Sequence, residues 1–191
     1  MDARPVAVYD ANVLYPAQLR DLLLRLAVND LVRPHWSDGI HDKWTRNVHA
    51  DRPSVTWEDL EYTRGEMERA FPDASVEGYQ DRIGTLSLPD PGDRHVLAAA
   101  IEVGAGYIVT FNLGDFPAAE LDPHGVEAVD PDSFACLLMD QDLEGVLGVA
   151  AEHRGSLRKP PLGVSEYLEA LRNGGSLEVA AERLGNHRGR L

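Results

Sequence analysis

The chain has 191 residues, of which 43% are hydrophobic and 26% charged, and it carries a formal net charge of −14. Those proportions suit one well-packed domain with a small appendage rather than a disordered chain. The acidity excludes a protein that grips nucleic acid by a broad basic face, because phosphate contact draws on Lys and Arg; positive charge would have to be concentrated locally, as bound metal ions can do.

In chain order, Met1 to Pro5 leads into a short apolar run, Pro5 to Tyr9, read as a first buried strand ending at Asp10. It holds no signal-peptide core, and no run is long enough to cross a bilayer. The lone Cys136 sits in the apolar stretch Phe134 to Met139, which reads as a buried, inert thiol with no disulfide. A cytoplasmic protein that does not enter membranes is the expectation.

Pro16 to Asn29 puts Leu19, Leu22, Leu23 and Leu26 on one helical face. Ser37 caps a second helix, with Ile40, Trp44 and Val48 at four-residue spacing. Thr56 and Asp59 form a capping-box pattern opening a third, which carries Leu60, Met67 and Phe71. Val76 to Ile83 predicts a short fourth helix. Leu86 to Gly92 reads as a strand end followed by a turn. Asp93 opens a helix through Val96, Leu97, Ala100 and Ile101, stopped by Gly104 and Gly106. Tyr107 to Phe111 and Val126 to Val129 are strands, and about Asp132 to Met139 a helix.

The tail differs in charge. Residues 1–150 carry 27 acids against 11 Lys/Arg, and residues 151–191 carry 5 against 7. Arg158-Lys159-Pro160-Pro161 reads as a stiff basic connector. Beyond it, 164–171 and 177–184 carry apolar stripes at helical spacing, with Ser176 placed to cap the second. Helices this short must bury their stripes against something. Packing on the body is one outcome; gripping a partner or RNA through Arg158, Lys159, Arg172, Arg183, Arg188 and Arg190 is the other.

Strands alternating with helices imply a parallel sheet covered on both faces, with ligands bound beyond the strands' carboxyl ends. Asp10, Asn112 and Asp115 fall just after strands, and Asp93 begins a helix after another strand-like segment. Carboxylates gathered there repel one another unless a cation shares them. Hard oxygen ligands select Mg²⁺ or Mn²⁺, which suits phosphodiester hydrolysis. A phosphatase with Asp10 as nucleophile is the weaker reading, since Asn12 stands where that chemistry wants a second acid. There is no P-loop, no Gly-x-Ser-x-Gly and no zinc-like His/Cys spacing, although His95 adjoins Asp93.

Three segments carry a resemblance. Val8-Tyr9-Asp10-Ala11-Asn12-Val13-Leu14-Tyr15-Pro16, Leu88-Pro89-Asp90-Pro91-Gly92-Asp93-Arg94-His95-Val96-Leu97 and Ile108-Val109-Thr110-Phe111-Asn112-Leu113-Gly114-Asp115-Phe116-Pro117 resemble, in order and spacing, the motifs of the PIN-domain family. Within it the chain is most similar to VapC-like toxins of bacterial toxin–antitoxin pairs. The resemblance implies an α/β fold, PIN-like and three-layered, over 1–139, with a parallel sheet flanked by helices, and a small helical C-terminal extension over 140–191. It implies a divalent-metal-dependent endoribonuclease, with an RNA substrate, a cognate antitoxin and a homodimer as partners. Asp10, Asp93 and Asp115 are then the Mg²⁺ or Mn²⁺ ligands, and Asp42 and Asn112 complete the catalytic set. Asn12 and Thr110 support the carboxylates, and Arg46 and Arg94 contact RNA.

Bland roles stand beside these. Asp93 suits a helix N-cap, Asp42 a solvated helix face, Asp115 and Asn12 a turn, and Asp90, between prolines, a structural turn. Two departures stand out. The family has an acid in the second helix where this chain has Lys43, which leaves Asp42 as the candidate one position away, turned by about 100°. Asn112 replaces a frequent Asp. A PIN fold that binds RNA or a protein without cutting is the alternative these departures favour.

Overall fold

The computed structural model describes residues 4–158 and 160–191. Met1 to Ala3 and Lys159, the latter part of the expected basic connector, lie outside the described residues. By its internal contacts the chain forms two compact units. One comprises Met1–Tyr15 (described from Arg4) and Arg33–Val129; the other comprises Pro16–Val32 and Asp130–Leu191. The boundary expected at 139/140 falls inside the second unit, which also takes in the helix that follows the first motif.

The first unit is built on a four-stranded sheet in the order β2-β1-β3-β4, every pairing parallel. The strands are β1 (Val6–Tyr9), β2 (Arg33–His35), β3 (Tyr107–Val109) and β4 (Glu127–Val129). Ala7, Val8, Tyr9, Ile108 and Val109 are wholly buried, as a sheet covered on both faces requires. β2 was not legible in the sequence. Its segment, Arg-Pro-His, has no strand signature, and proline is tolerated because the strand lies at the sheet edge. The strand expected around Leu86 does not form.

Helices of this unit are α1 (Ala11–Leu14), α3 (Asp38–Asp51), α4 (Trp57–Ala70), α5 (Gln80–Ile83), α6 (Arg94–Glu102) and α7 (Ala118–Leu121). Ser37 Oγ accepts from the Ile40 amide, and Thr56 and Asp59 complete the capping box that opens α4. α6 packs on β1 and β3, with Val96, Leu97, Ala98, Ala99 and Ala100 all fully buried. Three consecutive alanines let its backbone approach the strands closely. A 3-10 turn, Pro91–Asp93, precedes α6, and Asp93 both closes that turn and stands at the N-cap position of α6, without a side-chain capping hydrogen bond.

The second unit is helical: α2 (Ala17–Val28), α8 (Pro131–Gln141), α9 (Leu143–Ser156), α10 (Val164–Gly175) and α11 (Glu178–Gly185). α2 packs against α9 and α10, α8 against α9 and α11, and α10 against α11. The leucine stripe of α2 and Tyr167, Leu168, Leu171, Ala180, Ala181 and Leu184 are buried. Ser176 does not cap α11. It takes a left-handed φ of 53° at the end of α10, and the Asp132 carboxylate accepts instead from the Val179 and Ala180 amides, at 2.8 and 2.7 Å. The tail arginines bond locally: Arg183 to Asp140, Arg190 to Glu144, and Arg188 to Ser165 at 2.8 Å. Cys136 is free and half-buried, its thiol pushed up by burial. No helix among the described residues is long and apolar enough to cross a membrane.

Candidate active site

Asp10 leaves β1 in an extended conformation and N-caps α1, its Oδ1 accepting from the Ala11 amide at 2.6 Å. Its own amide donates to Val109 O, which locks the end of β1 against β3. The other carboxylate oxygen accepts from the Thr110 hydroxyl at 2.8 Å. Thr110 is a hub. Its Oγ1 also accepts from Asn12 Nδ2 at 2.9 Å and from the Asn112 amide at 3.1 Å. Asn12 Oδ1 in turn accepts from the Phe111 amide at 3.1 Å. The first and third motifs are thus stitched together by side chains, which holds the Asp10 carboxylate in place.

Asp93 is placed by its turn: Asp90 Oδ1 accepts from the Gly92 amide, and the Asp93 amide donates to Asp90 O. Asp90 is a structural element of this turn. Asp10 and Asp93 are each only 2% exposed. Burial raises the pKa of Asp10. The Thr110 and Ala11 hydrogen bonds and the Lys43 charge pull it back, and the Asp93 charge pushes it further up. Two carboxylates are therefore held, buried, within each other's field.

Lys43 completes this arrangement. From α3 its Nζ donates to Asp93 Oδ1 at 2.7 Å. Burial works against the ammonium, but the Asp93 hydrogen bond and the charges of Asp93, Asp10 and Asp90 outweigh it, and the pKa is raised. His95 senses the same group. Burial, then the Lys43 charge, lowers its pKa, against the pull of Asp10 and Asp93. Its Nδ1 is buried without a hydrogen-bond partner, facing Gly39.

Asp42 is not brought to this pair. It is exposed, at 3.5 Å from Arg64 Nη1, whose guanidinium also holds Asp38 at 2.5 Å and Glu68 at 2.9 Å. The physical reason is the helical turn of about 100° between positions 42 and 43: the lysine faces Asp93 and the aspartate faces α4. Asn112 is exposed, held through its backbone. Asp115 is half-buried in a 3-10 turn, Leu113–Asp115. Arg46 is exposed on α3, and Arg94 is half-buried at the start of α6. Among the described residues no three His, Cys, Asp or Glu side chains come together as a metal-ligand group. The three-carboxylate set Asp10, Asp93 and Asp115 does not assemble. Two carboxylates with water filling the other positions still suit a hard divalent ion, since Mg²⁺ is commonly held by one or two. The residues present fit a divalent ion at that minimum.

Residues 6–114 match the model described as "PIN domain". The chain belongs to the PIN-domain family. Asp10 and Asp93 both lie inside the PIN match, while residues 131–185 match "VapC50 C-terminal domain", which coincides with the second unit from α8 to α11. A protein of Mycobacterium tuberculosis (strain ATCC 25618 / H37Rv), named "Putative ribonuclease VapC50", is 36% identical over 94 residues, covering 49% of this chain and 55% of the relative. The chain thus spans about half the length of the curated relative it matches. No solved structure matches the chain.

The contact made by Lys43 had escaped the sequence reading, which treated the residue only as a missing acid. Its signal was available. Lys43 is one of two lysines in the chain and lies three residues after Ile40, on the edge of the buried helical face.

Proposed function

We propose that this PIN-domain protein is a divalent-metal-dependent endoribonuclease and the toxin of a type II toxin–antitoxin pair. The observation that carries the reading is the pair of buried carboxylates, Asp10 and Asp93, held in one electrostatic field by Thr110, the Ala11 amide and Lys43. Burying two acids side by side is unfavourable, so their retention makes sense where they serve a cation and a phosphate.

Asp10 and Asp93 would hold Mg²⁺ or Mn²⁺. When bound, such an ion supplies Lewis-acid polarisation and a lowered pKa for water. The Thr110 hydroxyl orients the Asp10 carboxylate and works against the rise in its pKa caused by burial, and Asn12 fixes Thr110. Arg94 and Arg46 are the candidate phosphate contacts, and Asn112 and Asp115 the candidate groups for the reacting water at the end of β3. The products would carry 5′-phosphate and 3′-hydroxyl ends. An antitoxin encoded by an adjacent gene, a cytoplasmic site of action and a homodimer belong to this reading, and the match to "VapC50 C-terminal domain" supports the antitoxin.

The test is cleavage of a structured RNA by the purified protein with Mg²⁺ or Mn²⁺. EDTA should stop it and Asp10→Asn should abolish it; full cleavage by Asp10→Asn would remove this site from the mechanism. One observation favours a second reading, a PIN fold that binds RNA or a protein without cutting: Lys43 occupies Asp93. RNA retention with no cleavage at any divalent ion would select it.

A further inference from the structure

Two buried carboxylates in one field require a positive charge nearby, and in this chain a side chain provides it. Lys43 Nζ sits 2.7 Å from Asp93 Oδ1, the aspartate side chain 3% exposed and the lysine side chain 41% exposed. The ammonium also senses Asp10 and Asp90, so it lies in the field of all three carboxylates. No other Lys or Arg forms an ion pair with Asp93 or Asp10 among the described residues.

We propose that Lys43 is a built-in counter-cation for Asp10 and Asp93, which a divalent ion must displace from Asp93 in order to bind. The inference rests on the nuclease reading for its metal but concerns this chain's own lysine. Three features support it. The ammonium and a divalent ion would need the same Asp93 oxygen. The lysine stem is half-exposed and long, so its head group can swing to solvent or to an incoming phosphate without refolding α3, whereas Asp93, fixed in its turn by Asp90, cannot follow. The acid that could have balanced Lys43 on its own helix, Asp42, is engaged with Arg64. The consequence is a metal-free site in which one of the two carboxylate charges is neutralised, and a metal affinity lower than two buried carboxylates alone would give.

Mn²⁺ alone is the probe, with binding followed by electron paramagnetic resonance or calorimetry and unfolding followed by circular dichroism. Lys43→Met should bind Mn²⁺ about tenfold more tightly or better, because the ion no longer has to break the ion pair between Lys43 and the buried Asp93 carboxylate. Lys43→Glu should bind more tightly still, and Lys43→Arg should stay as weak as the parent. In EDTA, Lys43→Met should melt below the parent, and Mn²⁺ should raise its melting temperature more than the parent's, by mass action. If Lys43→Met is unfolded in EDTA, its refolding with Mn²⁺, but not with NaCl of equal ionic strength, carries the same information. Equal Mn²⁺ affinity in Lys43→Met and the parent, or a Lys43→Met protein that Mn²⁺ cannot refold, would overturn the proposal. RNA cleavage by the same proteins separates it from the nuclease reading. Tighter Mn²⁺ binding with no cleavage by either protein sinks the nuclease and keeps the counter-cation; unchanged affinity with metal-dependent cleavage does the reverse.

Discussion

Replacing His41 with Asn and following stability against pH tests how the core of α3 is held. His41 is fully buried, and its Nδ1 accepts a hydrogen bond from Trp44 Nε1 at 2.9 Å. Its ring meets Trp36 edge-on, with centroids 5.6 Å apart. Protonating Nδ1 would turn that acceptor into a donor facing a donor. Burial, then the neighbouring Arg64 charge, pulls the pKa down from 6.5 to about 4, against Glu68, Asp38 and Asp42. A base whose folded pKa is depressed binds fewer protons folded than unfolded between those two values. Stability is therefore complete above pH 6.5 and is lost as pH falls toward 4. The loss works out at about 2 kcal/mol between pH 7 and pH 5, and about 3 kcal/mol by pH 4. Asn keeps an oxygen near the Nδ1 position and does not titrate, so His41→Asn carries a fixed penalty independent of pH. His35, His95 and His153 are also depressed by burial, but they remain in both proteins and cancel in the difference. Urea unfolding of both proteins at pH 7, 6 and 5 gives that difference directly. The gap between them should narrow by about 2 kcal/mol on acidification to pH 5; parallel profiles would refute the assignment of His41 as a buried neutral acceptor.

Thr110→Val should destabilise the protein by about 1–3 kcal/mol in denaturant unfolding, because Asp10, Asn12 and the Asn112 amide all lose a hydrogen-bond partner. The same substitution should reduce RNA cleavage at neutral pH, since the Asp10 carboxylate loses the strongest influence holding its pKa down. Asp42→Ala should change stability by less than about 1 kcal/mol and leave cleavage intact, as Asp42 is exposed and pairs with Arg64 rather than with Asp93 or Asp10; a collapse of activity would return Asp42 to the site. Truncation after residue 155 should yield aggregated protein in gel filtration, because removing α10 and α11 uncovers the faces of α2 and α8 on which they pack.

The sequence alone determined what depends on local order. The capping box at Thr56, the leucine stripe of α2, the alanine-rich α6 and the apolar strands β1, β3 and β4 are each encoded within a few residues of themselves, by period and by cap. So were the positions of Asp10 and Asp93 at element ends, and the motifs around them carried the PIN resemblance. β2 was decided by the fold: Arg-Pro-His has no strand preference of its own and becomes a strand because the β1 edge offers it partners. Asp132 capping α11 was also invisible, since the cap comes from 47 residues away. The fate of the second-helix acid is the sharpest case. Sequence could say only that Lys43 stands where an acid was expected and that Asp42 is its neighbour. Which of the two reaches Asp93 depends on how α3 is rotated against its neighbours α1 and α4, and that rotation is set by burying Ile40, His41, Trp44, Thr45 and Val48. With that face inward, position 43 meets Asp93 and position 42 meets Arg64. The tertiary packing of five side chains therefore decided the charge of the site.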